Sequence, residues 1–141
     1  MALPPDLERA YRQAHYVVFG APDLVLRIGE KSALLEAILD EEGAESAAWL
    51  TAANPGGVLQ DERANALSAA ALHQVLADAG YTCYLGEGRD PSGELPAEPS
   101  VLAVGISRHE AEVIGRSYEQ NAIVFIEKGE APELVALADA A

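Results

Sequence analysis

The chain has 141 residues, half of them hydrophobic, and this length fits one domain over residues 1–141 that buries its own core without disulfide bonds. Its formal net charge of −14 repels phosphate groups and anionic lipid, and no apolar run reaches the roughly 20 residues of a membrane span, so we expect neither a nucleic-acid nor a membrane partner. A single cysteine, Cys83, and a start at Met1 with no apolar leader favour a cytoplasmic protein of bacterial type.

Helix-like and strand-like patterns alternate along the first half of the chain. Two β-branched and aromatic runs flank the turn Ala21-Pro22-Asp23, which predicts an antiparallel hairpin. Ser32 is placed to cap a short helix with its leucines on one face. The predicted elements are a helix over residues 6–14, strands over 15–19 and 24–28, the helix after Ser32, and a strand over 47–52.

The second half continues the same alternation. Apolar residues at helical spacing predict a long helix over residues 60–79, with Gly80 as its terminator. A Gly- and Pro-containing segment from Gly86 to Gly93 predicts a long loop, and Ser107 with Glu110 forms a capping-box pattern. The other predicted elements are strands over 81–85, 101–106 and 121–126, a helix over 107–118, and a short C-terminal helix beginning at Pro132.

This order of elements predicts an α/β (α+β) fold, a single compact domain with a mixed β-sheet of about six strands flanked by helices. Helical crossovers and one antiparallel return should bring several strand ends to the same edge of the sheet. Residues at these ends, and early in the long helix, are therefore expected to converge. They are Thr51, Asn54, Gly56, Gly57, Glu87, Arg89, Glu98, Ser100, Gln120 and Asn65.

The same segments carry a resemblance. Their blocks are Thr51-Ala52-Ala53-Asn54-Pro55, Asn65, Glu98-Pro99-Ser100 with Gly105, and Tyr118-Glu119-Gln120-Asn121-Ala122. In order and spacing they resemble a bacterial domain-of-unknown-function family, number three-two-nine-three, over about residues 11–135. The resemblance implies one domain in which these blocks matter, and it implies no established activity. The family typically has an arginine directly after this asparagine, whereas here Ala66 follows Asn65. Arg63 is the nearest substitute.

The converging residues predict a pocket that binds a small polar or anionic ligand. Asn54, Asn65 and Gln120 supply neutral hydrogen bonds, and Arg89 or Arg63 meets an anionic group. Thr51 and Ser100 belong to the same predicted site. The amides of Gly56 and Gly57 form either an anion-binding nest or an ordinary turn. The cofactor stays unknown, since the sequence has no nucleotide-binding glycine motif, and no spacing of His and Cys suggests a metal site.

Two other functions remain open. Glu98 is the best candidate for the general base of a small hydrolase or transferase, with the Gly56 and Gly57 amides stabilising negative charge. Alternatively, Glu98 caps loop amides and has a structural role. A protein-interaction module, including a homodimer, is the third possibility. Outside the predicted site, His109 is expected at the surface, and Cys83, Trp49 and Phe125 are expected in the core.

Overall fold

The computed structural model describes residues 3–137, in which seven strands form one sheet. Residues 1–2 and 138–141 of the predicted domain lie outside the described range. None of the described helices is both long enough and apolar enough to span a membrane. The elements are α1 (Pro5–Gln13), β1 (His15–Val18), β2 (Leu24–Leu26), α2 (Ala33–Glu42), β3 (Ser46–Thr51), a 3-10 turn (Pro55–Gly57), α3 (Glu62–Asp78), β4 (Thr82–Arg89), β5 (Glu98–Val104), α4 (Arg108–Ser117), β6 (Ala122–Glu127) and β7 (Glu133–Ala136).

The predicted class, a single compact α+β domain, is confirmed. The sheet order is β2-β1-β4-β5-β3-β6-β7, and every described pair of neighbours is antiparallel rather than mixed. β3 and β4 run in the same direction, as the crossover requires, but the returning strand β5 lies between them and bonds to both. The ends of β3 and β4 and the starts of β5 and β6 therefore share one edge.

Each face of the sheet has its own apolar core. On one face α3 and α4 pack against the strands, with Leu72 and Leu76 of α3 fully buried. On the other face Leu35 and Leu39 of α2 pack against the cluster that contains Trp49. Trp49 and Phe125 are buried, as predicted, and Cys83 is half-buried against the first core.

The local signals at helix ends and in the hairpin are confirmed. Ser32 Oγ accepts a hydrogen bond from the Leu35 amide at 3.1 Å, and Ser107 Oγ accepts one from the Glu110 amide at 3.2 Å. Gly80 has φ +94° directly after the last turn of α3, a conformation that glycine adopts without strain. β1 and β2 pair antiparallel. These features depend on neighbouring residues only, which is why the sequence predicts them.

The predicted loop from Gly86 is wrong at its beginning, because β4 continues through Arg89. Gly86 pairs with Val18 on one side and with Ser100 on the other. A Cβ atom at this position would lie 2.1 Å from the Val17 carbonyl oxygen. The glycine is therefore needed for close approach of two strands and not for a turn.

The prediction of a C-terminal helix is also wrong for the described residues, because residues 133–136 form β7 and pair with β6. The Leu137 amide extends this pairing by donating to the Asn121 carbonyl at 2.8 Å. So short a segment gains little as an isolated helix, whereas as a strand it covers the otherwise unpaired edge of a buried apolar strand.

Candidate functional site

A cleft of about 690 Å³ opens at the shared edge of the sheet, on the face that carries Trp49. Trp49 and Val124 contribute to its floor, α1 forms one wall, and the β4–β5 loop forms part of its rim. Its volume lies within the roughly 300–1,000 Å³ of ordinary small-molecule sites. Of the residues predicted for the site, Thr51, Asn54, Gly57, Arg89, Glu98 and Gln120 line this cleft.

Glu98, the first residue of β5, places a half-buried carboxylate in the lining of the cleft. Its Oε2 atom accepts a hydrogen bond of 2.6 Å from Asn54 Nδ2. Within residues 3–137 no other hydrogen bond to this carboxylate is present. Burial raises the pKa of Glu98 above its usual value, and the bond from Asn54 opposes that rise. One carboxylate oxygen is thus left for an additional donor.

Asn54 is the centre of a hydrogen-bonded network behind Glu98. Its side-chain Oδ1 accepts from the Gln60 amide and from Asn65 Nδ2, both at 2.9 Å. Its backbone amide donates to Asn65 Oδ1 at 3.0 Å. Both asparagines are 6% exposed. Asn54 Oδ1 already has two donors and one Nδ2 hydrogen is bonded to the carboxylate, so Asn54 positions Glu98.

The other polar residues at the strand ends bind mainly to backbone. Thr51 Oγ1 donates to the Pro99 carbonyl at 2.9 Å, and Ser100 Oγ donates to the Glu98 carbonyl at 2.9 Å. Gln120 Nε2 donates to the Ala53 carbonyl at 3.0 Å and to the Tyr118 carbonyl at 3.2 Å. These bonds tie the starts of β5 and β6 to the end of β3. Ser100 and Asn65 lie behind the cleft lining rather than in it.

The predicted nest of glycine amides is already occupied by backbone acceptors. The Gly56 amide donates to the Glu119 carbonyl at 2.7 Å, and the Gly57 amide donates to the Asn54 carbonyl at 2.9 Å. Neither amide is left for an anion in this arrangement. A turn with φ +68° and +78° at these two positions accounts for both glycines.

The arginines predicted to meet an anion occupy different places. Arg63 is exposed in the first turn of α3 and does not line the cleft. Arg89 lines the cleft, but its Nε lies 2.6 Å from Glu87 Oε2. Arg9, which sequence reasoning did not select, also lines the cleft and pairs with Asp6 at 3.0 Å. Each guanidinium at the cleft therefore has a carboxylate partner.

Sequence reasoning missed the aromatic and α1 residues of the cleft. Tyr11 has its pKa raised to about 12, first by burial and then by the Glu98 charge, against a hydrogen bond with the Asn121 side chain. The Tyr16 hydroxyl donates to the Tyr11 carbonyl at 2.5 Å. The sequence does contain a signal for a packed face of α1, because apolar residues recur there at helical spacing. Leu7, Ala10 and Tyr11 of α1, and Ala14 directly after it, all line the cleft.

No group of three His, Cys, Asp or Glu residues within the described range is arranged to hold a metal ion. Of the histidines, His109 is exposed at the start of α4, where the sequence predicts a surface residue, and His15 and His73 are half-buried. The chemistry available in the cleft is that of carboxylates, guanidinium groups, phenol hydroxyls, amides and aromatic rings.

We expect Glu98→Gln to raise the midpoint of thermal unfolding at about pH 7 and to leave it nearly unchanged in acid. The folded state holds the Glu98 proton more tightly than the unfolded chain. Stability is therefore greatest below the usual pKa of 4.5 and falls as the pH rises to the raised pKa of the folded state. Glutamine can still accept the Asn54 bond and carries no charge. Thermal scans across this range measure the difference between the two proteins.

Glu130→Gln is the matched control, since Glu130 is exposed in the β6–β7 turn and the same charge is removed there. We expect its midpoint to follow that of the wild type at every pH. If Glu98→Gln instead unfolds earlier at neutral pH, the ionised carboxylate stabilises the network, contrary to the argument from burial.

Comparison with known proteins adds a family assignment. Searches of curated proteins and of solved structures gave no match. One family matches residues 50–123, described as "Protein of unknown function (DUF3293)". The matched range, more than half of the chain, is narrower than the predicted resemblance; it contains Asn54, Glu98 and Gln120 but not Tyr11. This chain belongs to the family of proteins of unknown function DUF3293.

Proposed function

We propose that the protein binds a small polar ligand in the cleft, and that Glu98 contacts this ligand directly. The main support for this proposal is that Glu98 lines the cleft with a half-buried carboxylate, which receives one hydrogen bond from the described residues. A carboxylate with one bond in a partly buried place is costly for stability. A ligand that donates a hydrogen bond would lower this cost.

The surrounding contacts support a role in positioning. Asn54 and Asn65 hold each other through two bonds and direct Asn54 Nδ2 towards Glu98. Such a pre-arranged polar group beside an apolar floor is typical of sites where one side chain fixes the orientation of a ligand. Tyr11 and Asn121 line the same cleft as Glu98, and their side chains share a hydrogen bond there.

A thermal-shift screen tests this proposal, with nucleotides, sugar phosphates, amino acids, amines, carboxylates and divalent metals as probes. A ligand at about 100 times its dissociation constant adds about 2.7 kcal/mol and raises the midpoint by several degrees. We expect at least one class to stabilise the wild type and Glu130→Gln equally, and Glu98→Gln less. If no class shifts the wild type, or if Glu98→Gln responds fully to every hit, Glu98 is not a ligand contact.

A small hydrolase or transferase with Glu98 as general base is the second candidate, because burial raises the pKa of this carboxylate, as a general base requires. The occupied amides of Gly56 and Gly57 leave that reaction without the oxyanion stabilisation it would need from them. Incubating each hit with wild type and Glu98→Gln decides between the candidates. An enzyme converts the hit and loses turnover in the variant, whereas a binding protein returns it unchanged.

A further inference from the structure

We infer that the cleft takes a cationic amine attached to an apolar group, with the ammonium at Glu98 and the apolar group between the aromatic floor and the rim. This inference rests on the proposed function and names the chemical class of its ligand. It departs from the anionic ligand that the sequence leaves open.

The charges that line the cleft favour a cation. Four carboxylates and two guanidinium groups are among the described lining residues. Both guanidinium groups are paired, Arg9 with Asp6 at 3.0 Å and Arg89 with Glu87 at 2.6 Å. Each pair reduces the positive charge that its guanidinium offers an anion, whereas an ammonium meets Glu98 without displacing a protein donor. The net charge of −14 adds an attractive field for cations.

The carboxylates of the cleft differ in what they can offer a ligand. Asp90 accepts from the Ser92 hydroxyl at 2.8 Å and from the Leu95 amide at 3.0 Å, so it organises the β4–β5 loop. Asp6 is held by Arg9 in an exposed pair. Glu94 is exposed, and Glu98 is more deeply buried than Asp90, so water competes less with a charge-assisted hydrogen bond at Glu98. The ammonium is therefore assigned to Glu98.

The floor suits an ammonium that carries an apolar body. Trp49 and Tyr16 lie edge to face with ring centroids 5.6 Å apart, and both line the cleft. Aromatic faces attract cations and also bury apolar groups. At the rim, Leu59 and Leu95 are 62% and 52% exposed, so a ligand can bury apolar surface there. A ligand with one ammonium and one hydrophobic group satisfies both regions.

Benzylamine, benzyl alcohol and benzoate test this assignment, because they share one ring and differ in charge. Trp49 is the chain's single tryptophan and lines the cleft, so its fluorescence reports occupancy directly. We expect benzylamine to bind at least about tenfold more tightly than benzyl alcohol, since its charge-assisted bond to a carboxylate is the stronger one. Benzoate should bind most weakly. In Glu98→Gln the preference for the amine should fall to within about twofold, and Glu130→Gln should keep it.

Each other outcome has a definite meaning. Binding of benzoate as tight as that of benzylamine, or an amine preference that survives in Glu98→Gln, overturns the assignment but leaves ligand binding in the cleft intact. No saturable response to any of the three probes overturns the amine assignment as well. The broader thermal-shift screen then decides the proposed function independently, because it includes nucleotides, sugar phosphates and carboxylates.

Discussion

Gly86→Ala is expected to lower the free energy of unfolding by about 3 kcal/mol. This loss is at or above the largest that is usual when an added methyl group overpacks a protein interior. The added Cβ would lie 2.1 Å from the Val17 carbonyl oxygen and 2.9 Å from Cη2 of Trp49. The first contact is with backbone that is paired in the sheet, so no side-chain rotation relieves it. β1 and β4 must separate, and Trp49 must move from a buried position. Urea unfolding monitored by Trp49 fluorescence measures the loss.

Gly88→Ala is the matched control because it lies two residues further along β4, on the same face of the strand. A Cβ at Gly88 meets nothing within 4 Å. We expect its free energy of unfolding to stay within about 1 kcal/mol of the wild type, since alanine costs less backbone entropy than glycine. If both substitutions destabilise equally, strand flexibility rather than the close approach to Val17 explains the glycines.

The contrast between these glycines shows where sequence reasoning reaches its limit. Gly86 and Gly88 resemble turn glycines in the sequence, and the loop prediction followed from that pattern. The reason for Gly86 lies in Val17 and Trp49, which are distant in the chain and meet it only in the folded sheet. Helix caps such as Ser32 and Ser107 involve residues three positions apart, and they were predictable for that reason.

The candidate site, like the fold, could be predicted from the sequence only in part. Two helical crossovers and one antiparallel return predict that the segments of Asn54, Glu98 and Gln120 meet at one edge, because these connections depend on the order of elements. Which of these groups already have partners could not be predicted, because the Asn54–Asn65 pairing and the Gly56 bond to Glu119 depend on atomic positions. The apolar face of α1 could be predicted from the sequence, but the cleft that this face covers could not. Tyr11 was therefore not predicted as a site residue.

Asn54→Ala is expected to lower the free energy of unfolding by about 3–4 kcal/mol. The substitution removes the acceptor of the Gln60 amide and of Asn65 Nδ2, and the donor to Glu98. Asn65 is buried, so its amide group finds little water in exchange. Asn54 also has φ +48°, where asparagine is tolerated better than alanine. Urea unfolding gives the total cost.

Asn54→Gly separates the two causes, because glycine removes the same side-chain bonds and adopts positive φ freely. We expect it to recover about 1 kcal/mol of the loss in Asn54→Ala, with the remainder due to the hydrogen bonds. Equal losses would mean that the backbone conformation costs nothing at this position. Near-neutral effects of both would mean that the network does not hold Glu98, and the proposed ligand contact would lose its support.

The pair Asn54 and Glu98 also connects stability with function. If Asn54 Nδ2 positions the carboxylate, Asn54→Gly should weaken amine binding in the Glu98 background and have little effect when glutamine replaces Glu98. A merely structural asparagine would weaken binding equally in both backgrounds, because its loss would act on the cleft and not through the Glu98 carboxylate. Measuring binding of benzylamine to the wild type, the two single variants and the double variant, well below their unfolding midpoints, distinguishes these outcomes.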